Sequence, residues 1–250
     1  MMRWGDNTGT ICPSQTIPPD PNGFAEKSYE TSPLNRVLKI GNPGNPWKLG
    51  STRELEFSEK TNTLSQGIRI WTVNGSGLPV TSAEYPLGSL YEKTSINENE
   101  QKVVEYTDKL GRLILKKVQA SASPSSGHVG WMCTYYVYDT FGRLRGVMPP
   151  QAVETLRNNT NDWANSTYSS LRDGMYYMYS YDSRGRMTVK RLPGKGIEEM
   201  VYDNNDRLVA WRDAKLAAEG KWKFTKYDAL SREIMTGLVT YSGNRDTLQA

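Results

Sequence analysis

The acids and bases that recur at a fixed spacing in this chain are Asp108 and Arg112, Asp139 and Arg143, Asp182 and Arg186, Asp203 and Arg207, and Asp228 and Arg232. Other groups with chemical potential are scattered. Glu198 with Glu199, or Glu105 with Asp108, could in principle serve glycoside hydrolysis, which needs two carboxyl groups flanking a cleft at a defined separation. Adjacent residues on a strand face opposite ways, which makes Glu198 and Glu199 a poor pair. The single histidine, His128, has only Cys133 as a nearby soft ligand and no placed partners for a nucleophilic triad, so it reads as a solvated loop residue. Pro193-Gly194-Lys195-Gly196 lacks the Gly-x-x-x-x-Gly-Lys-Ser/Thr frame of a phosphate loop and reads as a hairpin turn. No catalytic, cofactor-binding or metal-ligating residue is expected, and the chain is read as a non-enzyme.

The recurring pairs belong to a longer motif. Aligned on arginine it runs Thr107-Asp108-Lys109-Leu110-Gly111-Arg112, Tyr138-Asp139-Thr140-Phe141-Gly142-Arg143 and Tyr181-Asp182-Ser183-Arg184-Gly185-Arg186. Two weaker copies follow, Tyr202-Asp203-Asn204-Asn205-Asp206-Arg207 and Tyr227-Asp228-Ala229-Leu230-Ser231-Arg232, with Asp206 and Ser231 where glycine stands elsewhere. The arginines lie 31, 43, 21 and 25 residues apart, a unit near 21 with insertions and the mark of a repeat architecture. Asp first and Gly fourth is the preference of a type I turn, in which Asp accepts local N–H groups and Gly takes a left-handed conformation. Each motif is therefore expected to be a hairpin corner. Its arginine is expected to reach back to the Asp, a pair worth at most about 1 kcal/mol.

Corners need strands on either side, and the flanks alternate accordingly. Thr134, Tyr136 and Tyr138 share one face and Tyr135 and Val137 the other, while Tyr177, Tyr179 and Tyr181 line up likewise. Tyr177, Tyr179, Trp211 and Trp222 are the candidate glycan-stacking residues, although cross-strand packing is the commoner use of such aromatics. Residues 1–50 are rich in proline, glycine and asparagine and read as irregular, with short strands at most. Residues 51–100 form a β-rich lead-in, and residues 101–250 the repeat region. Pro149-Pro150-Gln151-Ala152-Val153-Glu154-Thr155-Leu156-Arg157 predicts a short helix, with proline at its start, in an insert near 149–170.

Composition excludes several partners. The 31 basic and 27 acidic residues are interspersed, so nothing follows a nucleic-acid backbone, and no apolar run is long enough to span a membrane. The start, Met1-Met2-Arg3-Trp4, has no apolar stretch behind it, so an export signal is not expected within these residues. Two cysteines, Cys12 and Cys133, leave the redox compartment and their own pairing open. A mean hydropathy of −0.65 with 15 Tyr and 7 Trp suits sheets with much wet surface.

The motif copies resemble the Rhs or YD-repeat family, named for the dipeptide found here at Tyr138-Asp139, Tyr181-Asp182, Tyr202-Asp203 and Tyr227-Asp228. The text between them looks like the N-terminal part of large Rhs-repeat proteins of Bacteroidota. The resemblance covers roughly residues 50 to 250. It implies an all-β hairpin strip that spirals into a partial shell, as in the cocoon-forming subunits of insecticidal toxin complexes. Such shells enclose a C-terminal toxin or meet other cells, so the partners implied are further repeats and a C-terminal domain of the same chain. The implied location is extracellular or cell-surface. The chain is read as a fragment too short to close a shell. Asp20-Pro21-Asn22-Gly23 is similar to the cleavage junction of Rhs cores but lies at the wrong end, and reads as a proline turn. Two alternatives stand beside this one: a surface carbohydrate-binding module and a polysaccharide-acting enzyme.

Overall fold

A computed structural model of the chain describes residues 10–12, 15–16, 21–74, 79–157 and 174–249. These fall into two units, one built from residues 1–66 and 86–131, the other from 67–85 and 132–250.

In the first unit β1 (Thr10–Cys12) and β2 (Gln15–Thr16) form a small ladder, followed by β3 (Glu26–Tyr29), β4 (Val37–Gly41) and β5 (Leu55–Thr61). A single 3₁₀ turn spans Leu64–Gln66. The next two strands, β6 (Arg69–Val73) and β7 (Pro79–Glu84), pair with each other and belong to the second unit. The first unit resumes with β8 (Tyr91–Ile96), β9 (Lys102–Thr107) and β10 (Leu113–Gln119), giving an antiparallel sheet in the order β3-β4-β5-β8-β9-β10. Alternation decides which face is covered: Val104 and Tyr106 on β9, and Leu115 and Lys117 on β10, are all buried. Burying a lysine demands compensation. The Lys117 Nζ donates to the carbonyls of Ser126 and Gly127 at 3.1 and 2.7 Å and stands over the Tyr106 and Trp131 rings. Asn62 ties β5 to the return segment, its amide nitrogen donating to Pro86 O and its amide oxygen accepting from Leu90 N.

The second unit is a meander. It runs β11 (Trp131–Tyr138), β12 (Leu144–Met148), α1 (Pro150–Arg157), β13 (Tyr177–Tyr181), β14 (Met187–Leu192), β15 (Gly196–Tyr202), β16 (Leu208–Arg212), α2 (Ala214–Ala218), β17 (Lys221–Tyr227), β18 (Glu233–Thr240) and α3 (Arg245–Gln249). Each strand from β11 to β18 pairs antiparallel with the next. Cys133, Tyr135 and Val137 point inward from β11, with Met148 on β12 and Ala152, Val153 and Leu156 on α1 also buried. The β6–β7 hairpin joins this core: Trp71 meets Tyr135 edge-on with centroids 5.9 Å apart, and the Arg69 amide donates to the Tyr135 hydroxyl. A second cluster gathers Val201, Ala210 and Trp222, with Val209, Tyr241 and Leu248 against it.

The architecture is all-β, as the sequence indicates, and helix α1 starts at the expected proline. The remainder of the insert, residues 158–170, lies outside the described residues, as do Asp20 and the Cys12 side chain, on which the cleavage-junction and disulfide readings turn. Two helices were not anticipated. At five residues each, α2 and α3 are too short to show helical periodicity; what starts them is a cap, Asp213 accepting from Leu216 N and Asn244 from Thr247 N, both at 2.9 Å. The proline-rich segment 1–50 carries β3 and β4 and a long loop between β4 and β5.

Candidate functional site

The recurrent feature of both units is the hairpin corner. At Asp139 one carboxylate oxygen accepts from the amides of Phe141 and Arg143 at 3.0 and 2.9 Å, and the other accepts from Arg143 Nε at 2.8 Å. The Asp139 amide donates to Arg143 O, and the Gly142 amide to Asp139 O, both at 3.0 Å. Asp108–Arg112, Asp182–Arg186, Asp203–Arg207 and Asp228–Arg232 repeat the set within 2.7–3.2 Å. The fourth residue is left-handed at every corner: φ is +77° at Gly111, +78° at Gly142, +81° at Gly185, +62° at Asp206 and +61° at Ser231. With register slipping just before each tyrosine, this is a type I turn closed by a bulge.

Left-handed backbone costs a residue other than glycine roughly 1–2 kcal/mol. Asp206 offsets that by bonding Arg184 and Arg186 at 2.7 and 2.9 Å, whereas Ser231 receives only a 3.3 Å bond from Arg207. Ser231→Gly is therefore expected to stabilise the chain by about 1 kcal/mol in urea unfolding, and Asp206→Gly to give no gain.

Three of the arginines, Arg143, Arg186 and Arg207, also cross to the next repeat, which their spacing in the sequence does not reveal. The guanidinium of Arg143 lies 5.2 Å from the Tyr181 ring, that of Arg186 4.8 Å from Tyr202 and that of Arg207 4.9 Å from Tyr227. Their Nη1 atoms donate to the backbone carbonyls of Asp182, Asp203 and Asp228, the next corners along. Each tyrosine hydroxyl returns a bond to the residue after that arginine, at Leu144, Met187 and Leu208, at 2.9–3.0 Å. The conspicuous Tyr of the motif is thus the hinge pin between consecutive hairpins. Strand length carried the signal: β14 and β15 pair in a register that brings Tyr202 beside Arg186.

Two further corners went unread. Tyr29-Glu30 and Asn35-Arg36 close the β3–β4 hairpin with two extra residues, the longer Glu30 spanning the gap to accept from the Arg36 amide and its guanidinium. Arg36 then reaches Glu59 on β5 at 3.0 Å. At the β8–β9 turn Asn97 replaces Asp, accepting from Asn99 and Gln101 amides, and Glu100 takes the left-handed position at φ +62°.

Corner carboxyls are acidified. Burial works to raise Asp108, Asp139, Asp182 and Asp203, but the amide and guanidinium of the corner arginine outweigh it and hold all four below the ordinary range. For Asp228 the Arg232 amide and side chain dominate outright, and Arg36 with Ser32 brings Glu30 down to about 2. A depressed folded pKa contributes stability that is present above the unfolded value, near 3.9, and is lost as pH falls through the folded one. Unfolding midpoints should therefore stay level from pH 7 to about 5 and drop below about 4.

This geometry fixes the corners in place. A hollow of about 970 Å³ in the first unit is lined by Glu54 and Glu56 among others. Both carboxylates bond the same Lys39 ammonium, at 2.5 and 2.8 Å. Burial pushes Glu54 up, yet Lys39 and the Gly50 amide bring it below its ordinary value, the reverse of what a glycosidase acid requires. Glu198, its carboxylate paired with Lys190 and Lys195, is lowered as well. Among the described residues no cluster of His, Cys, Asp and Glu could hold a metal. His128 is half-buried in its loop.

Of the aromatic candidates, Tyr177, Tyr179 and Trp211 are half-buried. Trp222 has no exposed surface and lies under the Arg212 guanidinium at 4.2 Å, so it is a core residue and the glycan-stacking reading is corrected there.

Residues 11–61 match a family described as a domain of unknown function, DUF6443. No curated protein matches the chain. Among solved structures, a Photorhabdus luminescens Tc holotoxin pore is similar with a TM-score of 0.50 and 13% identity, over 88% of this chain and 9% of that one. The crystal structures of TcdB2-TccC3-TEV and TcdB2-TccC3-Cdc42 give TM-scores of 0.44 and 0.45 at 15% and 13% identity, over 86% of this chain and 10% of theirs. The chain thus spans about a tenth of the length of the solved chains it matches. The likeness to the holotoxin pore is one of fold.

Proposed function

We propose that this chain is a non-enzymatic wall segment of a larger exported Rhs-type protein, built to extend a β-hairpin strip around an enclosed C-terminal cargo. The observation that carries the proposal is the joint between repeats. Arginine, tyrosine and two backbone carbonyls link hairpin to hairpin in the same way three times over, from Arg143 to Tyr227. A joint of this kind can be propagated indefinitely, which is what a wall needs and an active site does not. The fold shared with the Photorhabdus holotoxin pore supports the reading, as does the ion pairing of Glu54 and Glu56 described above. Among the described residues no helix is long and apolar enough to cross a membrane.

The test is electron cryo-microscopy of the complete product of the gene that encodes this chain. A continuous β-walled compartment with density inside it is the expected result, and protease should spare the enclosed part until the wall is unfolded. A product with no lumen, or with cargo cut as fast as in isolation, would overturn the proposal.

A further inference from the structure

We infer that Met200 is a site of reversible oxidation, and that its sulfoxide loosens the joint between the β13–β14 and β15–β16 hairpins. This is the joint in which Arg186 and Tyr202 meet. The Tyr202 hydroxyl donates to Met187 O at 2.9 Å, and the Met200 sulfur stands 3.8 Å from the same hydroxyl oxygen. Met200 and Tyr202, two apart on β15, share a face, while Val201 between them points into the Trp222 cluster on the other. The thioether is therefore a second acceptor beside that hydroxyl, and a weak one. The place two residues before the motif tyrosine is held by Tyr179 in the joint at Tyr181 and by Thr225 in the joint at Tyr227. Of the three joints, this one alone carries a sulfur there.

Access and chemistry agree. Met200 is half-buried and pairs opposite Trp211, so its sulfur is not sealed in the core. The oxidant required is a hydroperoxide. The sulfur lone pair attacks the terminal peroxide oxygen, the O–O bond breaks, and the departing oxygen takes the proton and leaves as water or an alcohol; sulfur gives up the two electrons that the peroxide gains. The product is a polar side chain whose oxygen accepts a hydrogen bond far more strongly than the thioether did. Tyr202 has a single O–H to donate. Diverted to the sulfoxide, it leaves Met187 O and draws the ring off the Arg186 guanidinium, 4.8 Å away in the closed joint. The strand does not follow, because Arg245 Nε holds the Met200 carbonyl at 2.9 Å. A sulfoxide reductase restores the thioether and with it the joint.

The test treats the full chain with graded hydrogen peroxide, locates sulfoxides by mass spectrometry and reads stability by urea unfolding. The exposed Met132 and Met235 should oxidise first and Met200 after them. Oxidation at Met200 should lower the folding equilibrium constant about fivefold, the loss of one hydrogen bond of ordinary strength, and methionine sulfoxide reductase should restore it. Met200→Leu, which conserves volume, should unfold like the parent and ignore the same dose, although Met132 and Met235 are oxidised in it too. Tyr202→Phe has no hydroxyl to divert and should lose less than about twofold. Met200→Gln, with an amide oxygen near the sulfoxide's place, should show the loss without peroxide. Met200 left unoxidised while the chain stays folded, a loss that survives in Met200→Leu, or an equal loss in Tyr202→Phe would each overturn the inference. So would an oxidised Met200 with unchanged unfolding. The inference deepens the wall-segment reading by naming how one joint is regulated, and the two fail separately. A closed wall whose stability ignores peroxide sinks this inference alone, whereas a product without a lumen sinks the wall reading and leaves the oxidation result to stand.

Discussion

Arg186→Ala is expected to lower the unfolding free energy by about 2–3 kcal/mol, far more than an exposed ion pair supplies. The side chain is largely covered and serves two hairpins at once. Its loss strands the Asp182 carboxylate, removes donors from Asp203 O and from the Asp206 carboxylate, and uncovers the face of Tyr202. Fully buried pairs broken from one side cost about 3–5 kcal/mol, so a partly buried one falls below that range. Arg232→Ala removes the same corner bonds but no joint, and should cost under about 1 kcal/mol. Urea unfolding of the two variants side by side reads the difference, and equal losses would mean that the joints contribute nothing beyond the corner.

Trp222→Ala should be more damaging, at about 3–5 kcal/mol, the usual cost of truncating a large aromatic in a core. Its ring fills the space between Val201 and Ala210, and removing it also strips the surface on which Arg212 lies, itself paired with Glu199. The prediction separates two readings of one residue. A glycan platform replaced by alanine would lose ligand and keep its stability. Trp222 should lose stability, with unfolding moved to lower urea, and no glycan on an array should distinguish variant from parent.

How much of this was legible depends on how local the cause is. The corners could be read because Asp, Gly and Arg satisfy one another within five residues, and the left-handed position tolerates Asp206 and Ser231 at modest cost. The joints could not, because Arg186 and Tyr202 are sixteen residues apart and meet only through the register of β14 on β15. Glu30 and Asn97 hid their corners by changing the acceptor, Glu30 reaching across a loop two residues longer and Asn97 accepting the same amides without charge. The burial of Trp222 was half visible: Lys221, Trp222 and Lys223 alternate, but alternation does not say which face of a strand meets a core. The helices α2 and α3 depend on single capping side chains, too slight a signal for any periodicity.

A double-mutant cycle on Arg186 and Tyr202 measures directly the energetic coupling between arginine and tyrosine of successive repeats. With Arg186→Ala, Tyr202→Ala and the double variant unfolded in urea, the predicted coupling is about 1 kcal/mol or more, the sum of a cation–π contact and a shared register. Additive losses, with coupling near zero, would contradict it and reduce the Tyr-Asp motif to a turn that merely recurs.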